Sequence, residues 1–75
     1  MKELVEFIVK RLADHPDQVQ VSQTEQDGSL EVRLSVAEED KGKIIGKQGK
    51  VIKAIRSVAS AAAGKAGKRS HIDID

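Results

Sequence analysis

Two glycines three residues apart, Gly46 and Gly49, separate two segments with the hydrophobic periodicity of α-helices. Residues 40 to 45 form a short helical pattern, and from about residue 50 to residue 63 apolar side chains recur at three- and four-residue steps. Glycine has no Cβ, so such a loop can adopt positive φ and let another molecule approach its main chain closely. The sequence therefore predicts two helices joined by a tight loop with an accessible backbone.

The first forty residues predict a helix followed by a β-hairpin. Pro16 disfavours helical geometry in the residue before it, so the first helix should end near residue 14 or 15. Alternation of apolar and polar residues then predicts two strands, and Asp27-Gly28 between them suits the positive φ angles of a tight hairpin turn. The apolar positions are Leu4, Val5, Phe7, Ile8 and Leu12 in the helix, and Val19, Val21, Leu30, Val32, Leu34 and Val36 in the strands.

The chain finishes with a second alternating segment, residues 69 to 75, in which Ile72 and Ile74 predict a strand with one buried face. We expect Gly64 to stop the long helix before it. The order is therefore α-β-β-α-α-β, which indicates an α+β fold with a three-stranded sheet packed on three helices. At 75 residues, the chain 1–75 has room for one domain and one small core.

A core of this size contributes only about 3–5 kcal/mol, and there is no cysteine for a disulfide. We therefore expect a partner subunit to add stability. The absence of cysteine fits a reducing cytoplasm. The first apolar segment is interrupted by Glu6, Lys10 and Arg11, so it has neither the pattern of a signal peptide nor that of a membrane span. The sequence predicts a soluble cytoplasmic protein without membrane association.

The net charge is only +1, but the charges are segregated along the chain. Residues 1 to 40 carry four basic and ten acidic side chains, whereas residues 41 to 69 carry nine basic and no acidic ones. A run of cations without carboxylates creates a local positive field that attracts polyanions. By itself this run is also compatible with an ordinary solvated basic face.

The glycine loop lies inside that basic run. Gly49 and Lys50 open the long helix, whose free N–H groups and positive dipole end attract phosphate oxygens. Lys47 and Lys50 add full charges at the same place, and Lys53 and Arg56 continue them along the helix. A GxxG loop of this kind is the clamp with which KH domains hold a nucleic-acid backbone. The pattern predicts binding of single-stranded RNA or DNA.

The whole string from residue 40 to residue 56, DKGKIIGKQGKVIKAIR, resembles the KH family closely. An aliphatic pair, Ile44-Ile45, precedes the first glycine, Lys47 follows it, and Ile52 lies three residues beyond the second. Because the hairpin precedes the loop, the order resembles that of type II KH domains. Gln48 departs from the family, which often has a second basic residue there, so the clamp could be weaker.

The length, the first helix and the final strand are similar to those of the KhpA family of small stand-alone bacterial KH proteins. That resemblance implies a cytoplasmic RNA-binding protein, an RNA chaperone or post-transcriptional regulator. It also implies a partner with a KH domain, KhpB, and a link to cell elongation and cell-wall homeostasis. The predicted RNA-binding residues are Ile45, Gly46, Lys47, Gln48, Gly49, Lys50, Lys53 and Arg56.

The apolar residues near the loop raise a question about base contacts. Ile44 and Ile45 are adjacent on a short helix, so both should not face the core equally. We expect Ile45, which is nearer the loop, to form the bottom of the nucleotide groove. The alternative is that both are core residues. Phe7 is the only aromatic residue, and its place in the first helix predicts a core position. This argues against RRM and OB folds, which stack bases on aromatic side chains.

On the long helix, one apolar stripe, widened by Ile52 and Ala59, consists of Val51, Ile55, Val58 and Ala62. The second half of this helix is apolar over more of its circumference than one core contact needs, through Val58, Ala59, Ala61, Ala62 and Ala63. Small side chains permit close approach of a second helix. We predict a homodimer, or a heterodimer with another KH protein, through Val58, Ala59 and Ala62. The alternative is a helix end that is rich in alanine because alanine favours helix formation.

Other classes of function fit less well. A P-loop needs Lys and Ser or Thr directly after its last glycine, which this chain lacks. His71, Asp73 and Asp75 alternate on one strand, a pattern more typical of a wet sheet face than of a metal site. No nucleophile or paired acid has recognisable spacing, so we expect neither an enzyme nor a cofactor. The remaining alternative is a dimerising scaffold with little direct RNA contact.

Overall fold

Three helices cover one face of a three-stranded sheet, and the predicted order of elements is confirmed. The structure is a computed structural model that describes residues 1–75. The elements are α1 (Lys2–Leu12), β1 (Gln20–Gln26), β2 (Ser29–Ser35), α2 (Lys41–Ile45), α3 (Lys50–Lys65) and β3 (Arg69–Ile74). Short 3-10 turns lie at Pro16–Gln18, Glu38–Asp40 and Lys47–Gly49. None of the helices combines the length and the apolarity needed to cross a membrane.

The sheet has the order β1-β2-β3, with β1 and β2 antiparallel and β2 and β3 parallel. Asp27 and Gly28 have φ angles of 53° and 76°, so the hairpin turn has the two positive angles that its residue types predicted. The parallel pairing of β3 requires a crossover, which α2 and α3 provide. Both β1 and β3 are therefore edge strands, and β3 lies next to α3.

The core lies between the sheet and the helices. Along β2, Leu30, Val32 and Leu34 are buried while the alternate residues are not, as the sequence pattern predicted. Leu34 of the central strand and Ile44 of α2 are both completely buried. The twelve residues of the continuous core are Val5, Val9, Val19, Val21, Val32, Leu34, Val36, Ile44, Ile52, Ile55, Ala59 and Ile72.

Two helix ends differ from the prediction. α1 ends at Leu12 rather than near residue 14 or 15, because the N–H groups of Asp14 and His15 bind the Asp40 carboxylate, 25 or more residues away, instead of a preceding turn. α3 continues through Gly64 to Lys65.

The residue that stops α3 is Gly67, with a φ of 72°. There the Lys68 N–H donates to Ala63 O at 2.9 Å and the Gly67 N–H to Gly64 O at 3.0 Å. This is the pair of bonds that closes a Schellman motif, which requires a glycine-like conformation at Gly67 and leaves Gly64 helical.

Candidate nucleic-acid interface

The glycine loop has a conformation that only glycine adopts easily at its first position. Gly46 has φ 78° and ψ 170°, and a Cβ placed on it would lie 2.8 Å from the backbone nitrogen of Val51. Gly49 has φ 74° and ψ 16°, the left-handed helical conformation, with no atom closer than 4.0 Å to such a Cβ. Gly46 is thus fixed by both backbone angle and close packing, whereas Gly49 is fixed by backbone angle alone.

Backbone hydrogen bonds make the loop continuous with the helices on either side. The Gly46 N–H donates to Gly42 O at 2.8 Å, which ends α2, and the Gly49 N–H donates to Gly46 O at 3.0 Å. Lys47 and Gln48 at the tip are exposed, and Gln48 has a positive φ of 57°. The loop therefore presents two solvated side chains and a tightly turned main chain at the start of α3.

Three lysines without an ion-pair partner lie at this loop and along the first turns of α3. Lys47, Lys50 and Lys53 are exposed and take part in none of the five ion pairs in the structure. Other cations of the basic run are paired with carboxylates from the acidic half. These pairs are Lys41–Glu38 at 3.3 Å, Lys43–Asp14 at 2.8 Å and Lys68–Glu25 at 2.9 Å. Six of the nine cations of the basic run therefore have no carboxylate partner: Lys47, Lys50, Lys53, Arg56, Lys65 and Arg69.

The Lys43–Asp14 pair also changes the titration of both side chains. The hydrogen bond from Lys43, with its positive charge, holds the pKa of the Asp14 carboxyl below its ordinary value. The same hydrogen bond raises the pKa of the Lys43 ammonium. Both groups are exposed to solvent, so this pair neutralises charge at the surface without a large contribution to stability.

Arg56 is held by the neighbouring strand. Its Nε and Nη2 atoms donate to Ile72 O on β3 at 3.2 and 3.1 Å. A guanidinium has five N–H groups, so Nη1 and the second hydrogen of Nη2 stay available. Arg56 therefore has a fixed orientation, unlike the flexible lysines, and retains one edge that can bind two acceptors at once.

An open groove of about 700 Å³ runs between α3 and β3. Its α3 wall contains Arg56, Ser57, Ser60 and Ala61, and its β3 wall contains Ser70, His71, Ile72 and Asp73. Hydroxyl, imidazole, guanidinium and carboxylate groups give this groove many hydrogen-bond donors and acceptors.

Of these eight groove residues, only Arg56 was predicted from the sequence as an RNA contact. Ser57 and Ser60 could have been found by extending the helical spacing from Lys53. The β3 wall gave no usable signal, because only the parallel pairing with β2 places that strand beside α3.

The two isoleucines before the loop divide between core and surface. Ile44 is fully buried, whereas Ile45 is partly exposed and packs against the edge of the core. Ile45 is not among the residues that line the groove between α3 and β3. A contact of Ile45 with nucleotides accordingly stays a prediction.

The opposite side of α3 carries an apolar surface that α1 extends. It is lined by Ile8, Leu12, Val51, Ala54 and Val58, with the buried Ile55 beneath them, and we call it the α1–α3 patch. Val58 is 47% exposed and Leu12 is 38% exposed, and Ala62, one turn beyond Val58, is exposed too. The sequence analysis missed the contribution of α1, because only the fold places that helix beside α3.

Two predictions about apolar side chains are wrong. Ala59, expected at the dimer surface, is only 1% exposed and belongs to the core of its own chain, because the buried face of α3 is Ile52, Ile55, Ala59 and Ala63. Of the four residues of the predicted stripe, only Ile55 is buried. Phe7, expected in the core, is 59% exposed, and the Arg11 guanidinium lies 4.8 Å from its ring centroid. Val5 and Val9 take the core positions of α1 instead.

An initial helix and hairpin, a GxxG loop between α2 and α3, and a parallel third strand together define a type II KH domain. The family model "KhpA/KhpB, KH domain" matches residues 2–74. The chain belongs to this family.

Similar proteins agree with this assignment. The chain is 53% identical over 74 residues to the RNA-binding protein KhpA of Halalkalibacterium halodurans, covering 99% of this chain and 97% of the relative. It is 40% identical to KhpA of Oceanobacillus iheyensis, with 99% of both chains covered. A 51% identity to KhpA of Listeria monocytogenes covers 68% of this chain and 67% of that protein.

Among solved structures, 97% of the chain superposes on Aquifex aeolicus Era with a TM-score of 0.69 at 22% identity. The matched part is 28% of the Era chain. A second structure, of Era in complex with MgGDPNP and nucleotides of 16S ribosomal RNA, gives a TM-score of 0.60 at 23% identity over the same shares. These likenesses show the fold alone.

Proposed function

We propose that this protein binds single-stranded RNA, with the backbone held at the glycine loop and the bases in the groove between α3 and β3. The observation that carries the proposal is the position of the unpaired cations Lys47, Lys50 and Lys53 at one end of a polar groove. The names of the relatives, RNA-binding protein KhpA, support the same function. The family is one of binding modules, and we propose no catalytic step.

Each part of the site has a distinct physical role in this proposal. Phosphates approach the main chain at Gly46 and Gly49 and are attracted by Lys47 and by the positive end of α3. The bases, turned away from the phosphates, meet the hydroxyls of Ser57 and Ser60, while the free edge of Arg56 binds a phosphate further along the strand. Unpaired bases can expose their hydrogen-bonding edges to such a groove, whereas a duplex keeps them paired. The site therefore favours single-stranded RNA or DNA over a duplex.

Replacement of Lys47 and Gln48 with Asp tests the backbone contact. The double variant places two carboxylates where phosphate would bind, and both positions are exposed, so the core is untouched. We expect loss of measurable affinity for a fluorescent single-stranded RNA in anisotropy titrations, with an unchanged circular dichroism spectrum. Full affinity in a folded double variant would contradict the assignment.

A matched control makes the same change of charge on another surface. Lys10 and Gln18 are both exposed and lie outside the loop and the groove. Replacing both with Asp alters the net charge as the loop variant does. We expect this control to reduce affinity by less than about threefold, since distant surface charges are screened by salt.

Assembly is the second part of the proposal. We propose that the α1–α3 patch binds a second copy of this chain, or an equivalent KH domain of the KhpB type. The groove and the patch lie on opposite sides of α3, so a dimer would leave both grooves open. Val58 and Ala62 are exposed small or medium apolar residues that let two helices approach closely. Membership of a family that includes both KhpA and KhpB supports a KH partner.

In the cell we propose a cytoplasmic role as an RNA chaperone or post-transcriptional regulator, with effects on cell elongation and the cell wall. The competing function is a dimerising scaffold that contacts little RNA, which the exposed patch favours. Ultraviolet crosslinking in cells, followed by sequencing of bound RNA, separates the two. Crosslinks that depend on Lys47 and Gln48 support RNA binding, and crosslinks no more frequent than those of the double variant support the scaffold.

A further inference from the structure

The only buried charged residue in the chain is Asp40, and RNA binding as proposed above makes no direct use of it. It is 1% exposed and precedes α2 at the position where a side chain often caps its own helix. Instead, its Oδ1 accepts a hydrogen bond from the Asp14 N–H at 3.1 Å and its Oδ2 accepts one from the His15 N–H at 3.0 Å. Both carboxylate oxygens therefore bind the main chain that follows α1.

An ion pair and a contact between an imidazole and a carboxylate join the same two segments at the surface. Lys43 Nζ lies 2.8 Å from Asp14 Oδ2, and His15 Nε2 lies 3.3 Å from Glu39 Oε2. Together with the Asp40 bonds they connect residues 14–15 to residues 39–43, and we call this connection the Asp40 clasp. The buried carboxylate forms its centre, because the other two pairs are exposed to solvent and weak.

The clasp matters because α2 has only five residues. A helix so short does not persist without tertiary contacts. It packs against α3 and buries the side chain of Ile44 in the core, and the Asp40 clasp holds its start. The Gly46 N–H closes the last turn of α2 on Gly42 O, so the position of α2 sets the position of the glycine loop.

We infer that Asp40 is a positioning residue for RNA binding: its carboxylate fixes α2 against the end of α1 and so holds the glycine loop in its binding conformation. This inference rests on the proposed function. The change in RNA affinity on removal of the carboxylate tells positioning from a simple effect of charge, because the two effects have opposite signs. Removing a carboxylate from a protein that binds a polyanion should strengthen binding, whereas loss of positioning should weaken it.

The test compares Asp40→Asn with Glu38→Gln. Asn keeps the size of the side chain but turns one acceptor into an amide donor that faces a backbone N–H. Glu38 lies in the same turn, is exposed, and loses the same charge. We expect Asp40→Asn to weaken binding of single-stranded RNA by about fivefold or more, as when only a fifth of the molecules are competent, and Glu38→Gln to bind at least as well as the wild type.

The dependence of affinity on salt separates positioning from direct contact. Loss of one phosphate contact reduces the magnitude of the slope of log affinity against log salt by about 0.7. Asp40→Asn should leave this slope unchanged, because the cations remain. Affinity in folded Asp40→Asn equal to or above that of the wild type overturns the inference. A general loss of stability is controlled with Val21→Ala, a core truncation on β1 that should leave affinity unchanged.

Hydrogen exchange gives a readout that does not depend on RNA. In Asp40→Asn we expect faster exchange at the Gly46 and Gly49 amides than in Glu38→Gln and Val21→Ala. Unchanged exchange there overturns the inference even if no RNA binds, so its failure is distinct from that of the proposed function. If Asp40→Asn does not fold, hydrogen exchange in the wild-type protein provides the test. The amides of Asp14, His15 and Gly46 should open together below the global unfolding energy, and separate opening overturns the inference.

Discussion

Val51 occupies the space that a side chain at Gly46 would need, since a Cβ on Gly46 would lie 2.8 Å from both the Cβ and the backbone nitrogen of Val51, with its Cγ2 closer still. Gly46 also has φ 78° and ψ 170°, a conformation adopted almost only by glycine. We therefore expect Gly46→Ala to destabilise the protein by about 2 kcal/mol or more, measured by urea denaturation. Gly49→Ala meets no close atom and should cost only about 1 kcal/mol.

The order of these two variants is the informative result. Gly28, in the hairpin, supplies the control, because it has φ 76° and nothing within 4 Å of a Cβ. Gly28→Ala should resemble Gly49→Ala in its cost and should leave RNA affinity unchanged. Equal costs for Gly46→Ala and Gly49→Ala would show that the contact with Val51 relaxes easily.

RNA affinity should fall steeply as salt rises. If Lys47, Lys50, Lys53 and Arg56 each neutralise a phosphate, the plot of log affinity against log salt should have a slope of about −2 to −3 for a single strand. Lys50→Ala should reduce the magnitude of this slope by about 0.7, and Lys10→Ala should leave it unchanged. A slope near zero, or stronger binding to double-stranded RNA, argues against the groove.

Two adjacent alanines on α3 separate the proposed binding surfaces. Ala61 lines the groove, and Ala62 is exposed next to Val58 in the α1–α3 patch. In sedimentation experiments at tens of micromolar, about the range of weak dimers, Ala62→Glu should convert a dimer to a monomer and retain RNA binding by each subunit. Ala61→Glu should weaken RNA binding and leave the dimer intact. A wild type that sediments as a monomer at these concentrations contradicts the homodimer.

Stability should depend on pH through the Lys43–Asp14 pair. The pKa of Asp14 is lowered in the folded state. The contribution of Asp14 to the unfolding free energy is therefore complete above its ordinary pKa and is lost as pH falls through the lower pKa of the folded state. Because the pKa of Lys43 is raised, its contribution is complete below the ordinary pKa and is lost as pH rises through the higher folded value.

Lys43→Gln tests this pH dependence. The unfolding free energy of the wild type should exceed that of the variant by a constant amount between about pH 5 and pH 9, and the difference should shrink below about pH 4 and above about pH 10.5. Lys50→Gln, which removes a lysine without an ion pair, should give a flat difference over the same range. A flat difference for Lys43→Gln would show that the pair does not form in solution.

The sequence by itself determined the order of the elements, the hairpin turn and the glycine loop. These features depend on local physical properties: the alternation along β2, the positive φ angles available at Asp27-Gly28, and the absence of a side chain at Gly46. The same local rules predicted that Lys47, Lys50 and Lys53 follow one another from the loop along α3. These rules were sufficient for the order of the elements, but of the α3 wall of the groove they predicted only Arg56.

Only the tertiary structure decided which face of each helix is buried in the core and which is exposed. α3 has alanine or valine almost all around its second half, so spacing could not fix its rotation, and packing on the sheet buried Ala59 and left Ala62 exposed. Phe7 is exposed because α1 turns the face of Val5 and Val9 toward the core, and Phe7, two residues from each, lies on the opposite side of the helix. The β3 wall of the groove and the Asp40 clasp join residues far apart in the chain, which no local pattern encodes, because their contacts form only when strands and helices pack together.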